Sequence, residues 1–147
     1  MELSVNIKRL RDNATLPAYA TPGSAAADLH AAIDAPIVIP AHEKAAVPTG
    51  IAISPSRQDV VALVFGRSGM GCKKAVTLAN SVGVIDADYR GEILVTLINH
   101  GSEPYTVAPN DRIAQIMFVP IYQAAFLPVD TLDETVRGEG GFGSTGK

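Results

Sequence analysis

A chain of 147 residues, 47% hydrophobic and 18% charged, is the length of one domain with apolar content enough to bury a core, and this excludes general disorder. The net charge of −3 leaves no basic footprint for a duplex nucleic acid, and Cys72 as the single cysteine excludes an internal disulfide or a zinc-thiolate site. No run approaches the ~20 apolar residues of a membrane span, and the alternating Met1–Leu10 lacks the apolar core of a signal peptide, so neither nucleic acid nor membrane is an expected partner and the expected compartment is the cytoplasm.

Leu3, Val5 and Ile7 alternate with polar residues, the period of a half-buried strand. Leu16–Gly23, with two prolines, reads as loop. In Ala25–Ala32 alanine favours helix while flanking prolines favour an extended segment. Pro36–Pro40, Ala45–Val47 and Gly50–Ile53 are short strands, and Val60–Phe65 is a continuous apolar strand expected to be buried on both faces. Gly66–Gly71 breaks it, and Val76–Leu78 is one more short strand. In Gly83–Glu92 an apolar pair delivers Asp86 to a tight reversal, with Tyr89 near the tip, Gly91 admitting a special backbone turn, and Ile93–Ile98 returning as the second strand of a hairpin. Tyr105–Val107 and Arg112–Tyr122 complete the series around the turn Pro109-Asn110-Asp111. At most one short helix is expected, around Val76 or Ala25. The pattern predicts an all-β jelly roll, sandwich or barrel over residues 1–129, followed by a flexible glycine-rich arm over 130–147.

Several residues carry chemistry. The hairpin puts a carboxylate, an aromatic ring and free amides around one small volume, a pocket for a small polar ring. Arg67-Ser68-Gly69 gathers a guanidinium, a hydroxyl and an amide on one turn, three kinds of anion donor. Gln115 lies within an apolar run, where a buried amide needs a partner, and Asp28 reads by itself as a loop acid. Gly138, Gly140 and Gly143 match G-x-G-x-x-G and Gly141–Lys147 matches G-x-x-x-x-G-K, but neither has the helix that such motifs require. Phe142 among glycines, bracketed by Arg137, Ser144 and Thr145, instead suits an arm that closes over a ligand, stacking on a base and donating to phosphate.

Five segments in this order resemble the homotrimeric deoxyuridine triphosphatase family: Ala25-Ala-Ala-Asp-Leu-His-Ala-Ala32, Gly66-Arg-Ser-Gly-Met70, Gly83-Val-Ile-Asp-Ala-Asp-Tyr-Arg-Gly-Glu92, Asp111-Arg-Ile-Ala-Gln-Ile116 and Arg137-Gly-Glu-Gly-Gly-Phe-Gly-Ser-Thr-Gly146. Departures from the family pattern fall on backbone positions: Gly66 stands where proline is common, Ala26 and Ala75 where glycine is common, and Asn110 replaces glycine.

The resemblance implies a jelly-roll subunit, or distorted β-barrel, in a homotrimer with active sites at subunit interfaces. It implies hydrolysis of dUTP to dUMP and pyrophosphate with Mg²⁺, which keeps uracil out of DNA and supplies dUMP for dTMP synthesis. By position, Asp86 activates the water that attacks the α-phosphorus. Arg67, Ser68, Gly69 and Gln115 bind the phosphates, and Asp28 acts on the waters of Mg²⁺ from the outer shell. The backbone of Val84, Ile85, Asp86 and Leu94, with the Asn80 side chain, reads uracil. Tyr89 packs on the deoxyribose and excludes a ribose hydroxyl. Phe142 stacks on uracil, while Arg137, Gly143, Ser144 and Thr145 complete the arm around the γ-phosphate. Two alternatives are a dCTP deaminase of the same superfold, which needs a glutamate-based site, and a nucleotide-gated regulatory module.

Overall fold

The structure is a computed structural model and describes residues 3–141. Among these the chain forms eleven strands and one short helix: β1 Val5–Arg9, β2 Ala27–His30, β3 Ile37–Ile39, β4 Lys44–Pro48, β5 Ile51–Pro55, β6 Val60–Phe65, α1 Ser68–Lys74, β7 Val76–Leu78, β8 Val82–Ile85, β9 Leu94–Asn99, β10 Tyr105–Val107 and β11 Arg112–Pro120. Every strand pair is antiparallel. A four-stranded sheet in the order β2-β11-β6-β8 and a three-stranded sheet in the order β4-β9-β7 are joined by the two-stranded ribbons β1-β5 and β3-β10. This is the expected jelly-roll β architecture. Alternation along the strands sends Leu29, Ile39, Val47, Ile51, Val76, Val95, Leu97, Val107 and Ile113 into one shared core, each essentially without solvent exposure. In β6, Val60, Val61 and Ala62 are buried in succession, so both faces of that strand are covered, as its unbroken apolar run predicts. No helix among the described residues is long and apolar enough to cross a membrane.

The helix differs from expectation. Both predicted places for it are strands: Val76 opens β7, and the alanine run feeds β2, where Ala27 and Leu29 are buried while Asp28 and His30 are half-buried. Pairing with β11 imposes period two on a segment whose alanines favour helix, so tertiary context overrides propensity. The helix lies instead in the predicted break, where Met70 is buried and Lys73 and Lys74 occupy the last turn, favourable to the helix dipole.

Ala75 ends α1 in the left-handed region, with φ 56° and its N–H donating to the Gly71 carbonyl. That conformation costs an alanine about 1 kcal/mol relative to glycine. Ala75→Gly is therefore expected to raise unfolding free energy by up to about 1 kcal/mol, less what the freer unfolded chain takes back. Urea denaturation checks this. Asn110 has φ 65°, and its side chain accepts a 2.7 Å hydrogen bond from Thr15.

The segment around Asp86 corrects two further expectations. β8 and β9 are not hairpin partners: β8 pairs with β6, and β9 pairs with β4 and β7. The reason is competition for the edge of the returning chain. Ile93 N–H donates to the Ile51 carbonyl at 2.9 Å, and the Ile93 carbonyl accepts from both the backbone N–H (3.2 Å) and the hydroxyl (2.7 Å) of Thr49. The chain thus crosses from one sheet to the other between β8 and β9. Nor does Gly91 adopt a left-handed backbone, since the glycines with positive φ among the described residues are Gly50 and Gly138. What glycine supplies at 91 is room: a Cβ there would stand 2.3 Å from the Tyr89 hydroxyl, so any other residue would displace that ring.

Beyond β11, residues 121–141 contain no helix or strand, and Tyr122, Phe126, Leu127, Val129, Leu132 and Val136 are all exposed.

Candidate active site

Because β8 and β9 belong to different sheets, a cleft of about 270 Å³ opens between them. Its apolar floor includes the buried Val64, Leu78 and Ile93. Val84 and Leu94 stand at its rim, 65% and 57% exposed, values that leave both strands accessible to a ligand. Asn80, Asp86 and Tyr89 also line it.

The cleft's main feature is unpaired backbone. β8 is the edge strand of its sheet, so the groups on its side away from β6 meet no strand. Just before β9, the N–H and C=O of Ile93 point toward Thr49 and Ile51, and within β9 the Thr96 carbonyl, on the opposite edge, accepts from Ala79 N–H at 2.9 Å. Alternation places the N–H and C=O of Leu94 on that same edge as Thr96, facing the cleft beyond the end of β7. Two half-open strand edges thus offer donors and acceptors to a planar ring lying between them.

Asp86 follows the last residue of β8, exposed, and its carbonyl accepts from Tyr89 N–H at 3.1 Å to close the turn. Arg90 braces that turn from outside through bonds of 2.8 and 3.0 Å to the carbonyls of Ala87 and Tyr89. The Tyr89 hydroxyl donates to the Glu92 carbonyl at 3.1 Å.

A second pocket, about 610 Å³, is lined by Asp28, Arg67, Ser68, Arg112 and Gln115 among others. One row of register across the four-stranded sheet explains the grouping: Asp28 pairs with Gln115, Gln115 with Phe65, and Phe65 with Val82. Arg67 comes two residues after that row, where the chain leaves β6 to start α1. The Asp28 carboxylate lies between two guanidiniums, 2.9 Å from Arg67 Nε and 3.2 Å from Arg112 Nη1. Two cations around one carboxylate leave the pocket net positive. Only Nε of Arg67 serves the pair, so its terminal nitrogens remain available to an anion. Ser68 and Gly69 are exposed in the first turn of α1, where N–H groups lack helical acceptors. The amide of Gln115 finds its partner in the Gly66 carbonyl at 3.0 Å, which fixes the start of the turn into α1. Burial lowers the pKa of His30, which faces Arg112 across the strands, so it adds little positive charge near neutrality.

The structure does not bring the two pockets together within one chain. β6 and β8 are antiparallel, so Arg67 follows the end of β6 at which β8 begins, whereas Asp86 follows the end at which β8 finishes. Asp86 lies four residues past Val82, about 13 Å along the strand from the Phe65 row, with Arg67 beyond that row on the other side. Arg137 Nε bonds the Gly140 carbonyl within the arm, at 2.8 Å, and lines neither pocket. Phe142, Gly143, Ser144 and Thr145 lie outside the described residues.

Two site residues escaped the sequence reading. Arg112 sits in a segment singled out there, and its partner Asp28 was also singled out, but nothing local pairs residues 84 positions apart. Glu92 lines the cleft, with its carboxylate on Arg11 and Gly50.

Among the described residues no group of three or more His, Cys, Asp or Glu side chains could hold a metal ion. The donor set fits a cation held from outside its own water shell: Asp28 is a single carboxylate, and each of its oxygens already accepts from a guanidinium.

The dUTPase family model matches residues 12–146. The deoxyuridine 5'-triphosphate nucleotidohydrolase of Desulfitobacterium hafniense is 54% identical over 131 residues, covering 89% of this chain and 87% of that protein. Its namesake from Shewanella amazonensis is 47% identical over 146 residues, covering 99% and 96%. A mutant dUTPase of phage 80alpha shares the fold at TM-score 0.86 and 26% identity, over 96% of this chain and 98% of that one. Another mutant of the phage 80alpha enzyme, solved with dUpNHpp, gives 0.84 at 25% identity, over 98% and 99%. The fold is also that of a phage phi11 dUTPase described with a structural Mg(II) ion, at TM-score 0.80 and 22% identity over 89% and 99%. A match across nearly the whole sequence, to relatives about half identical and to structures of the same fold, means that this chain belongs to the dUTPase family.

Proposed function

We propose that this dUTPase-family enzyme hydrolyses dUTP to dUMP and pyrophosphate at a site assembled from two or more copies of the chain, with Asp86 aiming the attacking water at the α-phosphorus. The observation that carries the reading is the cleft between β8 and β9: two open strand edges ending at one carboxylate. Uracil entering it would exchange hydrogen bonds with the backbone of Val84, Ile85, Asp86 and Leu94 and with the Asn80 side chain. Cytosine inverts two positions, an amino donor for the O4 acceptor and an N3 acceptor for the N3–H donor, so each buried group facing them would lose its partner at a cost of about 1–3 kcal/mol. Tyr89, half-exposed over the cleft and held by its hydroxyl, would pack on the sugar and leave no room for a 2′-hydroxyl.

Water attack on an α-phosphorus needs in-line positioning and neutralised charge more than a covalent nucleophile. The Asp86 carboxylate would accept a hydrogen bond from the water and take its proton as the new P–O bond forms, with pyrophosphate leaving. Arg67, Ser68, Gly69 and Gln115, to which the geometry adds Arg112, would bind the phosphate chain. Mg²⁺, when bound to the phosphates, would supply charge neutralisation, with Asp28 accepting hydrogen bonds from its waters. Residues 130–147 would act as the closing arm: Phe142 over uracil, and Arg137, Gly143, Ser144 and Thr145 around the γ-phosphate.

Two observations support a homotrimer with interfacial sites. Asp86 and Arg67 lie at opposite ends of the β6–β8 pair, so a triphosphate reaching both is better served by a second copy. Residues 121–136 also expose seven large apolar side chains that an isolated chain leaves in water.

Deamination is disfavoured because Glu92, the glutamate at the cleft, is already bound through both carboxylate oxygens. The decisive assay measures pyrophosphate release from dUTP, dCTP, dTTP and UTP with and without Mg²⁺. Release from dUTP alone is the expected result; ammonia release from dCTP would overturn it.

A further inference from the structure

We propose that Glu92 and Arg11 form a positioning pair that sets Tyr89, and through it the preference for deoxyribose over ribose; the inference rests on the role given above to Tyr89.

Tyr89 is 46% exposed, so core packing does not hold its ring. Two things do: the 3.1 Å bond from its hydroxyl to the Glu92 carbonyl, and the bare Cα of Gly91 beneath it. The ring is therefore placed by wherever the backbone of Glu92 stands. That backbone is placed in turn by the Glu92 side chain. Its Oε1 accepts from Gly50 N–H at 2.9 Å and from Arg11 Nε at 3.0 Å, and its Oε2 lies 3.4 Å from Arg11 Nη2. Gly50 is a firm anchor. Its φ is +68°, a Cβ there would come within 2.7 Å of Ala14 and 2.9 Å of Ala32, and its carbonyl accepts from Leu10 N–H at 2.7 Å. One carboxylate thus ties three segments of chain together directly behind Tyr89.

The Arg11 bond, with help from the Gly50 amide and against desolvation, holds Glu92 below the usual glutamate range, so the carboxylate is charged under working conditions. Arg11 does not line the cleft, and both Glu92 oxygens are committed. The pair therefore acts on a nucleotide only through the ring it places. An exposed ion pair contributes little to global stability, so its consequence is expected in selectivity.

The test is steady-state kinetics of the full-length protein on dUTP and UTP for Tyr89→Ala, Glu92→Ala, Glu92→Gln and Arg11→Ala, with circular dichroism to check folding. Tyr89→Ala defines the largest loss of discrimination. Glu92→Ala is expected to reproduce much of that loss, lowering the ratio of kcat/KM for dUTP over UTP by about tenfold, with KM for dUTP moving more than kcat. Glu92→Gln keeps an acceptor for Gly50 and Arg11 and is expected to retain most of the discrimination. Arg11→Ala should fall between them. If Glu92→Ala and Arg11→Ala fold and leave the ratio unchanged while Tyr89→Ala lowers it, the positioning role is overturned. If Tyr89→Ala itself leaves the ratio unchanged, the reading of Tyr89 fails, and the inference with it.

Discussion

Asp86→Asn is expected to lower kcat for dUTP by at least about a hundredfold, the contribution of a positioned general base, while the nucleotide still binds. The substitution is nearly isosteric and sits in a turn held by main-chain and Arg90 bonds that do not involve its side chain: Asp86 carbonyl to Tyr89 N–H, and Arg90 to the carbonyls of Ala87 and Tyr89. The cleft and its strand edges should therefore survive. What goes is a charged acceptor able to take the water's proton, which an amide cannot replace. Pyrophosphate release measures the first effect, and equilibrium binding of an α,β-imido analogue of dUTP measures the second. Retained turnover would remove Asp86 from the chemistry, and lost binding would assign it to recognition instead.

The second large effect is a recovery. Asp86→Asn and Arg67→Ala should each be inactive alone, the latter because it would remove the phosphate donor proposed above and leave Asp28 with Arg112 as its remaining cation. If one site takes Asp86 from one copy and Arg67 from another, mixed oligomers contain sites with both residues intact. Random assembly of equal amounts gives about one such site in four, hence about a quarter of the wild-type rate. If both residues served a site within a single chain, every site in the mixture would lack one of them and activity would stay at background. Co-refolding the two variants and assaying dUTP hydrolysis decides between these outcomes, and the opposed ends of β6 and β8 favour the first.

Legibility varied with the range of the determining interaction. The bounds of β6, Val60–Phe65, and of β10, Tyr105–Val107, were readable because Asp59 and Gly66 bracket the first run, and Pro104 and Pro109 flank the second. Helix α1 was not, because Ser68-Gly-Met-Gly has poor intrinsic propensity and is held by the burial of Met70. The residues read together around Asp86 do line one cleft, but for a reason the structure revises. They were expected to pair as a hairpin, whereas the site exists because they do not.

The sequence by itself determined the β architecture, the absence of a disulfide and the residue types for binding a nucleotide, since these follow from periodicity, composition and local motif. Tertiary structure decided which of those residues meet. Thr49 and Ile51 capture Ile93 and hold β9 away from β8, Asp28 draws Arg67 and Arg112 to itself, and Glu92 finds Arg11 across 81 positions. Such contacts depend on strand order and on which edges remain unpaired, and no local pattern along a chain records either.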